Sequence, residues 1–229
     1  MLALKQALSL VSTPKLGGAW SPADETTLVA WYQHKVGVTL NGSDVSQWDD
    51  SSTNGYDLLQ ADATEQPAYN VITGVLTFVS ANLENLQTSG TQISLADDFT
   101  LGLRINTSTI NGAFLADNTT SNEYFKYGAT NKIQFRIAGS ATSNLLLDSG
   151  AFGDDYIVIT RVSDVLTLWN NGVQQTTSSP SIAGTCLIDT IGLRKANQNA
   201  FDGTIKEIQI YDSSSSDLTT NVNDRLSTL

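Results

Sequence analysis

The sequence predicts an all-β protein, a jelly roll in which two antiparallel sheets pack face to face. Several short segments alternate apolar and polar residues, Asn-Gly pairs recur between them, and no stretch demands a long helix. Hydrophobic residues make up 40% of the 229 residues, which is enough for a large buried core, and charged residues make up 15%. We therefore expect one large sandwich rather than a chain of small domains.

The alternation is clearest in residues 99–105 and 132–137. Every second residue there is apolar, which predicts strands with one face on the core and one face on solvent. Residues 156–159 are continuously apolar, as expected of a strand that is covered on both faces. Residues 75–79 and 166–169 are predicted to form further strands.

Asn-Gly pairs mark the turns between these strands. They occur at residues 41–42, 54–55, 111–112 and 171–172. Asn and Gly both accept the positive φ angles that a two-residue type I′ turn requires. The pair at 171–172 lies between a predicted strand and another extended segment, so a tight hairpin is predicted there.

The first twenty residues are predicted to form an N-terminal arm, and residues 21–229 the jelly-roll domain. Leu4, Leu8 and Val11 have the spacing of one face of a short amphipathic helix, although an extended strand fits this segment equally well. We expect the arm either to dock on its own domain or to attach the protein to a partner through these apolar residues.

The last residues of the chain are predicted to form a short C-terminal helix. Leu218, Val222 and Leu226 recur every four residues, which places them on one helix face. Asp217 precedes this row and is expected to cap the start of the helix.

The net charge of −11 argues against two classes of partner. With 23 acidic and 12 basic residues, the surface repels phosphate backbones and anionic membranes. No stretch approaches the ~20 apolar residues of a membrane span, and the start of the chain lacks the pattern of a signal peptide. We therefore expect no nucleic-acid binding, no membrane insertion and no signal-directed export.

The chain has one cysteine and one histidine, which is too few for several kinds of catalytic site. Cys186 has no partner for an intramolecular disulfide and lies in an apolar run, so we expect it in the core. A lone histidine makes a Ser-His-Asp or Cys-His site hard to build, so His34 is expected to have a surface or core role.

Three blocks of sequence stand out, namely residues 28–32 with 45–52 and 55–58, residues 156–161 with 166–173, and residues 191–194 with 201–212. In the third block, Phe201 and Gly203 lead into an alternating strand that ends in Tyr211-Asp212. The blocks resemble the concanavalin A-like lectin/glucanase superfamily, close to its laminin G-like and pentraxin-like branch. The third block is the most specific, because it resembles that branch's closing strand. The resemblance spans roughly residues 21–229.

The opening of the domain also resembles domains that are common in tailed-phage virion proteins. The pattern is Trp-Ser-Pro at 20–22, Ala-Trp-Tyr at 30–32 and Trp-x-Asp-Ser at 48–51. This resemblance implies a structural or adhesion component of a virion, either a capsid decoration or a tail-associated protein. It would be assembled in the host cytoplasm and would contact other virion proteins through the arm.

The resemblance also implies binding to polysaccharide, either on a virion or in a lectin-type module outside one. The residues expected to bind a glycan are Trp48, Asp49, Tyr56 and Trp169, because aromatic rings stack on sugars and carboxylates bind their hydroxyls. For each tryptophan, a position in the core or at a corner of the sandwich is the favoured alternative.

A glycoside hydrolase is the least favoured alternative. Glucanases of this superfamily carry Glu-x-Asp-x-x-Glu on one strand, whereas the nearest match here has Glu207, Gln209 and Asp212. Because Gln cannot ionise, the pair of carboxylates that glycoside hydrolysis needs is missing, and we expect no enzymatic activity.

Neighbouring acidic residues occur at 49–50, 97–98 and 154–155. They alternate between the two faces of a strand, so we expect them to cap turns rather than to form a catalytic pair. Calcium remains open but unassigned, because no dense acidic loop is present. A homo-oligomeric state also remains open.

Overall fold

A computed structural model describes residues 20–107, 109–119, 123–195 and 198–229. The arm predicted at residues 1–20, with Leu4, Leu8 and Val11, lies outside the described residues except for Trp20. Among the described residues, no helix has the length and apolar character needed to cross a bilayer.

The described residues form strands, two short 3-10 helices (Pro22–Asp24 and Ser80–Asn82) and one α-helix, α1 (Ser216–Ser227). The strands are β1 Leu28–Tyr32, β2 Val38–Asn41, β3 Asp44–Trp48, β4 Leu58–Leu59, β5 Ala68–Asn70, β6 Val75–Phe78, β7 Leu86–Thr88, β8 Ile93–Leu95, β9 Phe99–Thr107, β10 Ala113–Ala116, β11 Tyr124–Ala129, β12 Lys132–Arg136, β13 Ser143–Leu146, β14 Asp154–Val162, β15 Val165–Asn170, β16 Val173–Gln174, β17 Cys186–Ile188, β18 Thr190–Ile191 and β19 Gly203–Tyr211.

Two antiparallel layers make up the sandwich. The helix-side sheet has the order β1-β19-β9-β14-β15-β16, and the open-face sheet has the order β3-β4-β7-β18-β10-β11-β12-β13. Strand β2 pairs with β3, and strands β5 and β6 link β3 to β19, so the ladders of the two layers are continuous. Strands β8 and β17 form a separate ribbon. The predicted all-β, two-sheet fold is confirmed.

The core lies between the two sheets and is built by the alternation that the sequence shows. Phe99, Leu101, Leu103 and Ile105 of β9 point inward, and each of these side chains has at most 1% of its surface exposed. Rows from β14, β12 and β19 complete this core. Burying such a side chain stabilises the fold by about 1.5–3 kcal/mol, so the inward rows fix the register of each strand.

The hairpin predicted at the fourth Asn-Gly pair is present. Strands β15 and β16 are joined by Asn171 and Gly172, whose φ angles are 50° and 77°. Both angles are positive, as a type I′ turn requires.

The helix α1 packs on the outer face of the helix-side sheet, and the three predicted apolar residues form its contact. Leu218, Val222 and Leu226 are at most 4% exposed and form a second apolar cluster with Val158 and Tyr211. A twelve-residue helix is marginal by itself in water, so this contact stabilises it.

The cap of α1 differs from the prediction. Ser215 is the N-cap, and its hydroxyl oxygen accepts a hydrogen bond from the backbone N–H of Leu218 at 3.1 Å. Asp217 lies within the first turn instead, where its negative charge still favours the positive end of the helix dipole. Ser and Asp are about equally good caps, so the sequence alone did not distinguish them.

We expect Gly102→Ala to lower the free energy of unfolding by about 1–3 kcal/mol. Gly102 lies on β9 beneath α1, and an added methyl group there would overlap Cγ1 of Val222. Gly153→Ala is the control, because its methyl group would meet no atom within 4 Å, and we expect a change below about 1 kcal/mol. Urea unfolding of both variants measures this difference. Equal losses would contradict close packing of α1 on β9.

Candidate functional site

Trp48 lies in the main core and presents no ring face to a ligand. It has no exposed surface, its ring centroid is 5.7 Å from that of Tyr32, and its indole N–H donates to the carbonyl of Gln33 at 3.3 Å. We therefore leave Trp48 out of the candidate site, and it takes the core position that the sequence also allowed.

Asp49 and Tyr56 lie at the ends of a loop that follows β3. Asp50, between them, holds this loop in place. Its carboxylate accepts hydrogen bonds from the backbone N–H groups of Trp31, Ser52 and Tyr56 at 2.9–3.1 Å. Asp49 accepts a hydrogen bond from Gln47 at 2.6 Å, and Tyr56 packs partly against the core. Both residues are half-buried. Their expected role in glycan binding stays a prediction.

Trp169 lies apart from these residues, on the outer face of the helix-side sheet. It pairs with Val158 across β14 and packs against the apolar cluster under α1. The four predicted residues therefore do not converge on one site. Trp169 does, however, line a groove between α1 and the β14–β15–β16 end of the sheet.

This groove encloses about 140 Å³ and combines aromatic with polar groups. One wall is formed by the rings of Trp169 and Tyr156, with Gly172 of the hairpin turn beside them. The other wall is a polar face of α1. Its lining residues are Thr219, Thr220, Asn223, Asp224 and Ser227.

Asn223 is, with Thr219, one of the two buried polar residues that line the groove. It is 7% exposed, and its side-chain N–H donates to the carbonyl of Thr219 at 2.9 Å. Its Oδ1 atom is buried and accepts no hydrogen bond. A buried carbonyl oxygen without a donor costs free energy, so a hydroxyl or water that reached it would be stabilising.

A second recess, of about 300 Å³, lies on the other flank of α1, and Asp224 lines both recesses. It is lined by Trp20, Asn221, Asp224, Arg225 and Thr228. The indole N–H of Trp20 donates to Glu25 at 2.8 Å. The helix thus separates two small recesses, each with one tryptophan, that share the carboxylate of Asp224.

The helix residues of the groove were not predicted from the sequence, although a signal for them exists. Thr219, Asn223 and Ser227 each follow one of the three apolar residues by one position, so they form a polar row beside the apolar row. Such a row lies at the edge of the helix contact, where a side chain is half-covered by the sheet. The contact partner on the sheet could not be inferred from spacing alone.

Glu207 stands at the first position of the sequence that best matches the glucanase catalytic motif. Its carboxylate takes part in a buried cluster of hydrogen bonds and an ion pair. The side chain has no exposed surface. Arg225 of α1 forms an ion pair with it, with N–O distances of 2.5 and 2.8 Å. The indole N–H of Trp31 and the backbone N–H of His34 also donate to it, at 3.0 and 3.1 Å.

A chain of hydrogen bonds continues this cluster along β19. Gln209 donates to Glu207 at 2.8 Å and accepts from the phenol of Tyr211 at 2.7 Å. Burial, and then the charge of Glu207, raise the pKa of Tyr211 well above its usual range, so the phenol remains a donor. Gln209 therefore links Glu207 to Tyr211 through hydrogen bonds, at the position where the glucanase motif has its Asp.

Cys186 and His34 form no nucleophilic site. Cys186 is 1% exposed in β17, as expected of a core residue, and burial raises the pKa of its thiol well above its usual range. The imidazole Nε2 of His34 lies 2.8 Å from the carbonyl of Thr73 in a neighbouring turn.

The paired acidic residues act mainly within their own turns and ladders. Asp98 accepts a hydrogen bond from the backbone N–H of Ser163 at 2.8 Å, and Asp155 accepts one from that of Gly153 at 2.6 Å. Among the described residues, no group of three or more His, Cys, Asp or Glu side chains is arranged to hold a metal ion.

No protein-family model and no curated protein matches the sequence. Several solved structures are similar to the structure of this chain. A Trypanosoma rangeli sialidase, in complex with 2,3-difluorosialic acid, has a TM-score of 0.57 and 14% identity over 96% of this chain and 35% of the sialidase. Domain 4 of AbnA, an extracellular arabinanase from Geobacillus stearothermophilus, in complex with arabinotriose, has a TM-score of 0.54 and 14% identity over 88% of this chain and 98% of that domain.

The chain has a concanavalin A-like jelly-roll fold. A pentraxin from Limulus polyphemus also matches, with a TM-score of 0.49 and 12% identity over 61% of this chain and 73% of the pentraxin, but the conclusion rests on the other two structures. The chain spans about one third of the sialidase. At these identities the likeness shows the shared fold alone.

We expect Arg225→Met to lower the free energy of unfolding by about 3 kcal/mol or more, because it leaves the Glu207 carboxylate buried without a counter-ion. Arg104→Met is the control. Arg104 pairs with Asp154, whose side chain is 57% exposed, so we expect that loss to be about 1 kcal/mol or less. Urea unfolding measures both values. Equally small losses would show that the buried pair does not hold α1 on the sheet.

Proposed function

We propose that the protein is a non-catalytic carbohydrate-binding module and that the groove beside α1 holds a sugar ring. The observation that carries this proposal is the pairing of Trp169 and Tyr156 with the polar row of α1. A sugar ring has apolar C–H faces that stack on aromatic rings and hydroxyls that need hydrogen-bond partners. Sites of this kind combine aromatic walls with a few fixed polar groups.

The size of the groove suits one ring of a longer glycan. Its volume of about 140 Å³ is below the ~300–1,000 Å³ that is usual for enclosed ligand pockets. The second recess, at Trp20, lies across Asp224 along the same helix. We propose that a glycan chain crosses Asp224 and places one ring in each recess. The arabinanase domain supports this proposal, since it has the same fold and was solved with arabinotriose.

The proposal that the module is non-catalytic rests on the number of carboxylates at the two recesses. Most glycoside hydrolases use two carboxylates, which flank the scissile glycosidic bond. Asp224 is the one carboxylate among the residues that line the two recesses. Glu207 is buried in its ion pair with Arg225.

We further propose that the module belongs to a phage virion, where it would decorate the capsid or the tail and bind surface glycans. Only the sequence supports this part, through the resemblance of its opening pattern to phage virion domains. The attachment through Leu4, Leu8 and Val11 falls outside the described residues. Removal of residues 1–18 should abolish association with particles while the domain still folds, and retained association would contradict this attachment.

We expect Trp169→Ala to weaken binding of the best ligand on a glycan array by about tenfold or more, because the indole supplies the stacking surface. Val173→Ala is the control, since this exposed residue of β16 does not line the groove, and it should bind like the wild type. The array is read with and without calcium.

Two results would contradict the proposal. The first is a wild type that binds no glycan, or a Trp169→Ala variant that binds as well as the wild type. The second is release of sugar from a β-glucan or an arabinan by the pure protein, which would overturn the non-catalytic part. An activity that survives Glu207→Gln would place catalysis elsewhere than at the glucanase position.

A further inference from the structure

Four basic side chains gather on the outer face of the open-face sheet, although the chain as a whole carries a net charge of −11. They are Lys126 of β11, Lys132 and Arg136 of β12, and Arg194 of the loop after β18. We call this group, centred on Tyr124, the basic patch. It lies on the layer opposite α1 and is separate from the groove at Trp169.

The ladder between β11 and β12 sets the spacing of the patch. Tyr124 pairs directly with Arg136, and Lys126 pairs with Gln134. The side chains of these two pairs therefore lie on the same face of the sheet. Lys132 joins them, because Gly128 has no side chain of its own there and an added Cβ would lie 3.1 Å from Cε of Lys132.

Lys126 is the central observation. Its side chain is 8% exposed, and among the described residues it forms no ion pair and no hydrogen bond. Burial, and then the charges of Arg194 and Lys132, lower the pKa of its ammonium group. A buried cation beside further cations costs free energy, and an anion placed among them would offset that cost.

Further contacts hold the members of the patch in place. The guanidinium carbon of Arg194 lies 4.5 Å from the centroid of the Tyr124 ring, and the ammonium nitrogen of Lys126 lies 5.5 Å from the same centroid. The phenol of Tyr124 is held by Thr142 at 3.1 Å. Arg136 uses one nitrogen for the carbonyl of Gly139, at 3.0 Å, while its Nε is buried without an acceptor.

The three other arginines among the described residues are used differently. Arg104 and Arg225 pair with carboxylates, and Arg161 donates to the backbone carbonyls of Leu95, Asp97 and Gly184. Lys126 and Arg136, in contrast, pair with no carboxylate among the described residues.

We propose that the basic patch binds the oxyanions of an acidic polysaccharide, with Lys126 and Arg136 as its main contacts. The proposal goes beyond the sugar groove and does not depend on it. From Lys132 to Arg136 the basic residues extend over about 14 Å along β12. That length suits successive anionic groups of a polymer better than a single ion. A nucleic acid carries oxyanions as well, so single-stranded DNA is included as the competing ligand in the test.

Binding to immobilised polygalacturonate, dextran sulfate and neutral dextran tests the proposal and separates carboxylate from sulfate as the source of the oxyanion. We expect the wild type to bind one of the two acidic polymers and not dextran. Lys126→Met keeps the aliphatic stem and should weaken this binding by about ten- to hundredfold, because one charged hydrogen bond is lost. Arg136→Gln should weaken it as well.

Lys206→Met is the matched control, since it removes the same charge from β19 in the other layer and should bind like the wild type. Thermal unfolding establishes that each variant is folded. Three outcomes would overturn the proposal: no binding to either acidic polymer, an equal loss in Lys206→Met, or equal binding to single-stranded DNA, which would indicate unspecific attraction of polyanions.

Discussion

The ion pair between Glu207 and Arg225 is the interaction on which the helix-side face depends. The carboxylate is fully buried, and donors from β1, β19, the turn after β1 and α1 meet at it. Removal of any one charge would leave the other without compensation in a site of low dielectric constant. The pair therefore fixes where α1 lies on the sheet. Both recesses of the proposed sugar site have α1 as a wall, so their shape depends on the same pair.

The two layers of the sandwich present different chemistry on a common core. The helix-side layer is covered by α1, and its accessible features are two small recesses with a tryptophan each. Within the part of the chain that the structure describes, no helix covers the open-face layer, and its outer face carries Tyr124 among four basic side chains. Strand alternation makes this division possible, because inward residues build the core while outward residues are free to differ between the layers.

The sequence was sufficient to predict the elements whose cause is local. The inward rows of β9 and β12, the Asn171-Gly172 turn and the apolar row of α1 all depend on neighbouring residues, and the structure confirms them. The other face of β9, predicted to lie on solvent, is covered instead, because α1 packs on it and Thr100 has no exposed surface. The groove and the basic patch depend on which strands become neighbours. The contact of Trp31 with Glu207 joins residues 176 positions apart, and no local pattern contains that information. Trp48 illustrates the same limit, since a core tryptophan and an exposed one look alike in sequence.

The proposed binding of sugar at Trp169, on the face organised by α1, can be followed through the indole N–H signals of the four tryptophans. A nitrogen-15 NMR titration with arabinotriose, and then with short oligosaccharides of glucose and galactose, would follow all four signals in one sample. We expect the signal of Trp169 to shift with ligand concentration, while those of the buried Trp31 and Trp48 stay fixed. A titration in which Trp169 is unmoved by any of these sugars, while another tryptophan responds, would contradict the proposed binding.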